Sequence, residues 1–72
     1  MTNIITEINE ELNRSYENYG KFNSTHEGYA VILEELDELW DEIRMKEPDK
    51  EKMKHEAMQT CAMLLKFIND LT

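Results

Sequence analysis

Six of the nine residues from Glu34 to Glu42 are carboxylates, and the other three, Leu36, Leu39 and Trp40, are large and apolar. On a helix at 100° per residue, Ile32, Leu33, Leu36, Leu39, Trp40 and Ile43 form one stripe. Glu34, Glu38, Asp41 and Glu42 fall on the other side, with Glu27 one or two turns above. Carboxylates stacked at i, i+3 and i+4 repel one another unless positive charge sits among them. A divalent cation answers that need, because hard ions such as magnesium prefer oxygen ligands and leave positions for water and substrate phosphates. Farther along, Glu56 is followed one turn later by Gln59, and Asp70 lies along a similar direction. If the two segments pack antiparallel, three or four carboxylates converge from two helices, as in bundle metal sites. The plainer reading of the same run is a solvated acidic face.

A phosphorylated ligand at such a cation needs further contacts, and if it is a nucleotide its base needs a stacking or hydrogen-bonding pocket. Tyr16, Tyr19, Phe22, Tyr29 and Trp40 supply the aromatic surface. Trp40 lies on the apolar stripe and reads as a core residue, so Tyr16, Tyr19 and Phe22, beside the first helix break, are the candidate base contacts. Lys21, Arg14 and Arg44 are the cations available to phosphate oxygens. His26, in the first turn of the acidic helix, is a candidate phosphate or base contact, and His55 a candidate support for Glu56.

Three helices position these groups. From Thr2 to about Tyr19, apolar residues recur at three and four through Ile5, Ile8, Leu12, Tyr16 and Tyr19, until Gly20 provides a left-handed cap. Ser24 and Glu27 have capping-box spacing, so a second helix runs from about Thr25 to Lys46, roughly 33 Å. Pro48 ends it, and Asp49 caps a third helix reaching about Leu71. The short connection makes helices two and three antiparallel neighbours. Apolar side chains from Met53 to Leu71 spread over more than one face of helix three, more than a lone three-helix unit covers. The expectation is all-α: a helix 1, a long acidic helix 2 and an apolar helix 3 forming one domain over residues 1–72, assembled into a helical-bundle homo-oligomer, a dimer or tetramer.

A net charge of -8 argues against nucleic acid and anionic membranes as partners, since both are met by basic surfaces. No apolar run approaches the roughly 20 residues of a membrane span, and the N-terminus lacks the pattern of a signal peptide. The single cysteine, Cys61, sits in an apolar run and reads as a small core residue in a reducing setting. A soluble cytoplasmic protein is expected.

The spacing Glu34-Glu35-x-x-Glu38, then Glu56-x-x-Gln59 after seventeen intervening residues, resembles the EExxE…ExxD signature of the MazG-like, all-α nucleoside triphosphate pyrophosphohydrolases. The run from His55 to Gln59, with Ala62, Met63, Phe67 and Ile68, also resembles the short MazG-like proteins of bacteriophages and their hosts. The resemblance covers roughly residues 25–71. It implies a helical oligomer in which Glu34, Glu35, Glu38 and Glu56 hold magnesium, or manganese, against the phosphates of a nucleotide. It further implies release of a nucleoside monophosphate and pyrophosphate, with Glu34 or Glu35 accepting the proton of the attacking water. Gln59, with Tyr16, Tyr19, Phe22, Lys21 and His26, completes the nucleotide-binding set. Two departures open a second expectation: Gln59 replaces the signature's aspartate, and the chain stops at Thr72 where longer members add a helix. A protein of this kind binds a nucleotide or nucleotide-derived signal without cleaving it, as a phage would to sequester a host defence signal. A third expectation is a small acidic helical adaptor with no ligand.

Overall fold

The computed structural model describes residues 3–72 and consists of three helices: α1 (Ile4–Tyr19), α2 (Thr25–Ile43) and α3 (Lys50–Leu71). The expected start of helix 1 at Thr2 lies outside the described residues. Asn3 caps α1, its side chain accepting from the Ile5 N–H at 2.8 Å. Gly20 ends it with φ 70° and ψ -161°. The positive φ agrees with a glycine cap, but the extended ψ lies outside the left-handed helical region, a combination open to glycine because it lacks a Cβ.

Ser24 Oγ accepts from the Glu27 N–H at 3.1 Å, as a capping box requires. The reciprocal bond is displaced by one residue, for the Glu27 carboxylate accepts from the backbone and side-chain N–H groups of Asn23. At the far end α2 stops at Ile43, three residues short of the expected Lys46. Arg44 and Met45 reach back, their N–H groups directed to the Trp40 and Glu42 carbonyls, and Met45 to Glu47 form the turn ahead of Pro48. Asp49 then caps α3, its Oδ1 accepting from the N–H groups of Glu51 and Lys52.

α3 is the central element. α1 and α2 each pack on it and not on each other, giving a flat body of 37 × 30 × 19 Å. The core lies on the α1 side, where Ile8, Leu12, Phe22, Ala62 and Met63 are buried. Cys61 packs at its edge with a free thiol. α2 contributes one buried residue, Gly28. A Cβ built there meets Phe67 Cδ2 at 2.7 Å and Leu71 Cδ1 at 3.0 Å. The missing side chain thus sets how closely α2 approaches α3.

The apolar stripe of α2 is not the face that docks. Val31 and Ile32 pack against the core, whereas Leu33, Leu36, Trp40 and Ile43 point outward, and Trp40 is 57% exposed. The expected core role for Trp40 is therefore absent within one chain. The contact face of α2 is rotated away from its apolar stripe, and half-buried Glu35 lies on it. Among the described residues no helix is long and apolar enough to cross a membrane.

Candidate functional site

Two helices deliver the carboxylates. Glu35 and Glu38 stand nearly one turn apart on α2, and Glu56 faces them from α3, with ligand oxygens of all three within 4.8 Å of one another. Burial raises the Glu35 pKa first, and the negative charges of Glu38, Glu56 and Glu34 add to it, so the group reaches about 7. Glu56 is raised as well, by burial and then by the adjacent Glu38 carboxyl, with His55 partly offsetting the shift. The cluster is a concentration of negative charge, part of which is relieved by holding protons near neutral pH.

Gln59 joins the cluster as a donor. In the amide orientation that satisfies its neighbours, Nε2 donates to Glu35 Oε2 at 3.2 Å and to Glu56 Oε2 at 3.3 Å, and the amide oxygen accepts from His55 Nε2 at 3.1 Å. His55 thereby supports the cluster through Gln59. The chain His55–Gln59–Glu35/Glu56 ties α3 to α2 at the point where the carboxylates meet.

Beside the cluster, between α1 and α2 and floored by α3, lies a cleft of about 640 Å³. Glu34, Glu35 and Gln59 line it where it meets the cluster, and Tyr19, Lys21, Phe22 and Lys66, with Glu11 and Glu27, are among the residues that line the rest. The size falls in the range of small-molecule sites. Glu27, Val31, Glu34 and Glu35 reach it from α2 because spacings of four, seven and eight keep side chains on one helical face.

Two of the expected base contacts are elsewhere. His26 is three and six residues from Tyr29 and Ile32, and with them lines a separate apolar groove closed by Leu64 and Phe67; it does not reach the cleft. Tyr16 is turned to Asp70, to which its hydroxyl donates at 2.6 Å. Asp70 also accepts from the Phe22 N–H at 2.9 Å, so it fastens α1 and the α1–α2 connection to the end of α3 and takes no part in the acidic cluster. Burial pushes the Asp70 pKa upward, but the Tyr16 and Phe22 hydrogen bonds, with Lys66 and Lys21 nearby, outweigh it and hold the carboxyl below its ordinary value. Tyr16→Phe should cost about 1–2 kcal/mol by leaving that carboxylate short of a donor. Urea denaturation checks it, and an unchanged midpoint would contradict the fastening role.

Lys66 was not among the sequence-derived candidates. It occupies an apolar run of α3, only 2% exposed, with Nζ donating to Ser15 Oγ at 2.8 Å. Its ammonium lies 4.7 Å from the Phe22 ring centroid and 5.1 Å from that of Tyr16. The available signal was a lone lysine interrupting apolar positions, one turn before an aspartate.

Searches against protein-family models, curated proteins and solved structures return no match to this chain.

Proposed function

We propose that this chain binds a phosphorylated nucleotide through a divalent cation held by Glu35, Glu38 and Glu56, in a helical assembly of MazG-like type. The supporting observation is the convergence of these three carboxylates from α2 and α3 beside a cleft lined by aromatic and basic residues. The donor set fits magnesium or manganese, being all oxygen and anionic. The raised pKa of Glu35, set by burial first and by its carboxylate neighbours second, adds support, since a cation relieves that crowding. When bound, the ion neutralises phosphate charge and lowers the pKa of an attacking water. Glu34 lines the cleft wall outside the group of three and in this reading completes the cation's surroundings or accepts a proton. Tyr19, Phe22 and Lys21 provide the ligand's remaining contacts.

Cleavage to a monophosphate and pyrophosphate is the stronger form of the proposal; binding without cleavage is the other. Gln59 favours the latter, because its neutral amide donates to Glu35 and Glu56 in place of the charge that the signature's aspartate brings. Incubation with a mixed nucleotide pool and magnesium, followed by mass spectrometry of the solution and of whatever heat releases from the protein, separates the two forms. Monophosphate in solution indicates an enzyme, and an intact nucleotide recovered from the protein indicates a binding protein. Recovery of neither, with the pool unchanged, sinks the proposal.

A homo-oligomer belongs to the same proposal, supported by the exposed Leu33, Leu36, Trp40 and Ile43 of α2 and the exposed Leu64, Leu65 and Ile68 of α3. Large apolar side chains exposed in this number are ordinarily covered. Trp40→Glu should convert the assembly to monomers in sedimentation equilibrium, and a wild-type chain that sediments as a monomer would contradict it.

A further inference from the structure

Among the described residues, Lys66 is the charged residue buried inside the fold. No ion pair forms at its Nζ among the described residues; the Asp70 carboxylate one turn on, which accepts from the Tyr16 hydroxyl and the Phe22 N–H, meets it through charge alone. An ammonium carries three N–H donors. Ser15 Oγ accepts one, and the faces of Phe22 and Tyr16 attract the charge without supplying an oxygen. A buried charge with unspent donors is costly unless something accepts from it. Lys66 and Ser15 line the same cleft as Glu34 and Glu35, with Phe22, Ala62 and Met63 between. The cleft therefore joins the acidic cluster at Glu34 and Glu35, carries Glu11 and Glu27 along its walls, and holds a buried ammonium beside an aromatic, apolar floor away from Glu35.

We propose that Lys66 receives a keto oxygen of the nucleotide's base at the end of the cleft remote from Glu35, selecting uracil-like bases over adenine. This rests on the nucleotide reading above and assigns its base. If the carboxylate end holds the cation and its phosphates, the apolar end takes the planar base. A keto oxygen accepts from the ammonium, whereas the exocyclic amino group of adenine turns a donor toward it.

The test is calorimetry with magnesium and the α,β-imido triphosphates of uridine and adenosine, which resist cleavage, and with pyrophosphate, on wild type and Lys66→Met. Methionine keeps the side chain out to its ε-carbon and suits its ring contacts. Wild type should bind the uridine ligand at least about tenfold more tightly than the adenosine one, the worth of one charge-assisted hydrogen bond. Lys66→Met should lose that preference and leave pyrophosphate binding unchanged. Equal preference in the two proteins overturns the assignment, as does a variant that weakens pyrophosphate as much as uridine, which would make Lys66 a phosphate contact. Wild type that binds none of the three overturns the nucleotide reading itself. If Lys66→Met does not fold, carbon NMR of the Lys66 ε-methylene in wild type decides. Its resonance, displaced by the two rings, should move with the uridine ligand and not with pyrophosphate; no movement with uridine overturns the proposal.

Discussion

The metal-free protein should lose stability as the pH rises from about 5 to 8, and saturating magnesium should reverse that slope. Glu35 titrates near 7 in the fold, above the 4.5 of an unconstrained glutamate. Between those values the folded state holds a proton that the unfolded state has released, so stability falls as pH increases through the window and levels off above the folded pKa. A shift of this size corresponds to about 3 kcal/mol before solvent screening. Glu35 is only half-buried, so about 1–2 kcal/mol is the expected loss. Glu56, shifted in the same direction, adds to it. A cation binding the ionised carboxylates competes with those protons, and its stabilisation of the native state grows with pH. Glu35→Gln should flatten the metal-free profile, raise stability at pH 8 and abolish the response to magnesium. Thermal denaturation at pH 5, 6.5 and 8, with and without the ion, reads all three effects. A wild-type profile that is flat in both conditions would contradict the charge-crowded cluster.

The second large effect should come from Gly28→Val. The glycine lies two turns before Glu35 on α2, where a Cβ meets Phe67 Cδ2 at 2.7 Å and Leu71 Cδ1 at 3.0 Å. An alanine methyl there forces the Phe67 ring and Leu71 to shift, which more than offsets the helix-propensity gain of up to about 1 kcal/mol, so Gly28→Ala should already be mildly destabilising. Valine adds two methyl groups against the same aromatic edge and should cost about 1–3 kcal/mol. For a domain of this size that is a large share of the whole stability. Because Gly28 fixes the approach of α2 to α3, the variant should also spread Glu35 and Glu38 from Glu56 and weaken magnesium binding even where it stays folded. Chemical denaturation and a magnesium titration measure the two consequences separately. A valine variant as stable as wild type, with the same metal response, would show that the close approach is dispensable.

How much of this was legible in the sequence follows from what each residue's neighbours are. Gly20, Ser24, Pro48 and Asp49 are local signals, acting through backbone geometry and caps, and they place three helices within a few residues of those observed. The end of α2 was misplaced because Arg44 and Lys46 suit a helix terminus by charge, whereas the turn into Pro48 begins at Arg44. The family resemblance implies Glu34, Glu35, Glu38 and Glu56 as one set, and antiparallel packing sets Glu56 opposite the stripe of Glu34, Glu38, Asp41 and Glu42; the structure brings together Glu35, Glu38 and Glu56, with Glu34 outside that group. What periodicity hid was the rotation of α2 on its neighbour. An apolar stripe reads as the buried face, but α3 takes the face carrying Gly28, Val31, Ile32 and Glu35, and Trp40 is left outside. The same rotation carries His26 to the apolar groove and away from the cleft. Lys66 was hidden for a different reason: within an apolar run a lysine reads as a surface interruption, and its aromatic neighbours are Tyr16 and Phe22, far away in sequence.

Manganese titrated at substoichiometric amounts into the nitrogen-15-labelled protein, with amide spectra recorded before and after adding a nucleoside triphosphate, tests the central claim most directly. The account predicts selective broadening around Glu35, Glu38 and Glu56, extending along the cleft to Phe22 once the nucleotide is present. Broadening spread evenly over the acidic surface, reaching Glu10, Glu17 and Glu47 to the same degree and indifferent to nucleotide, would contradict it.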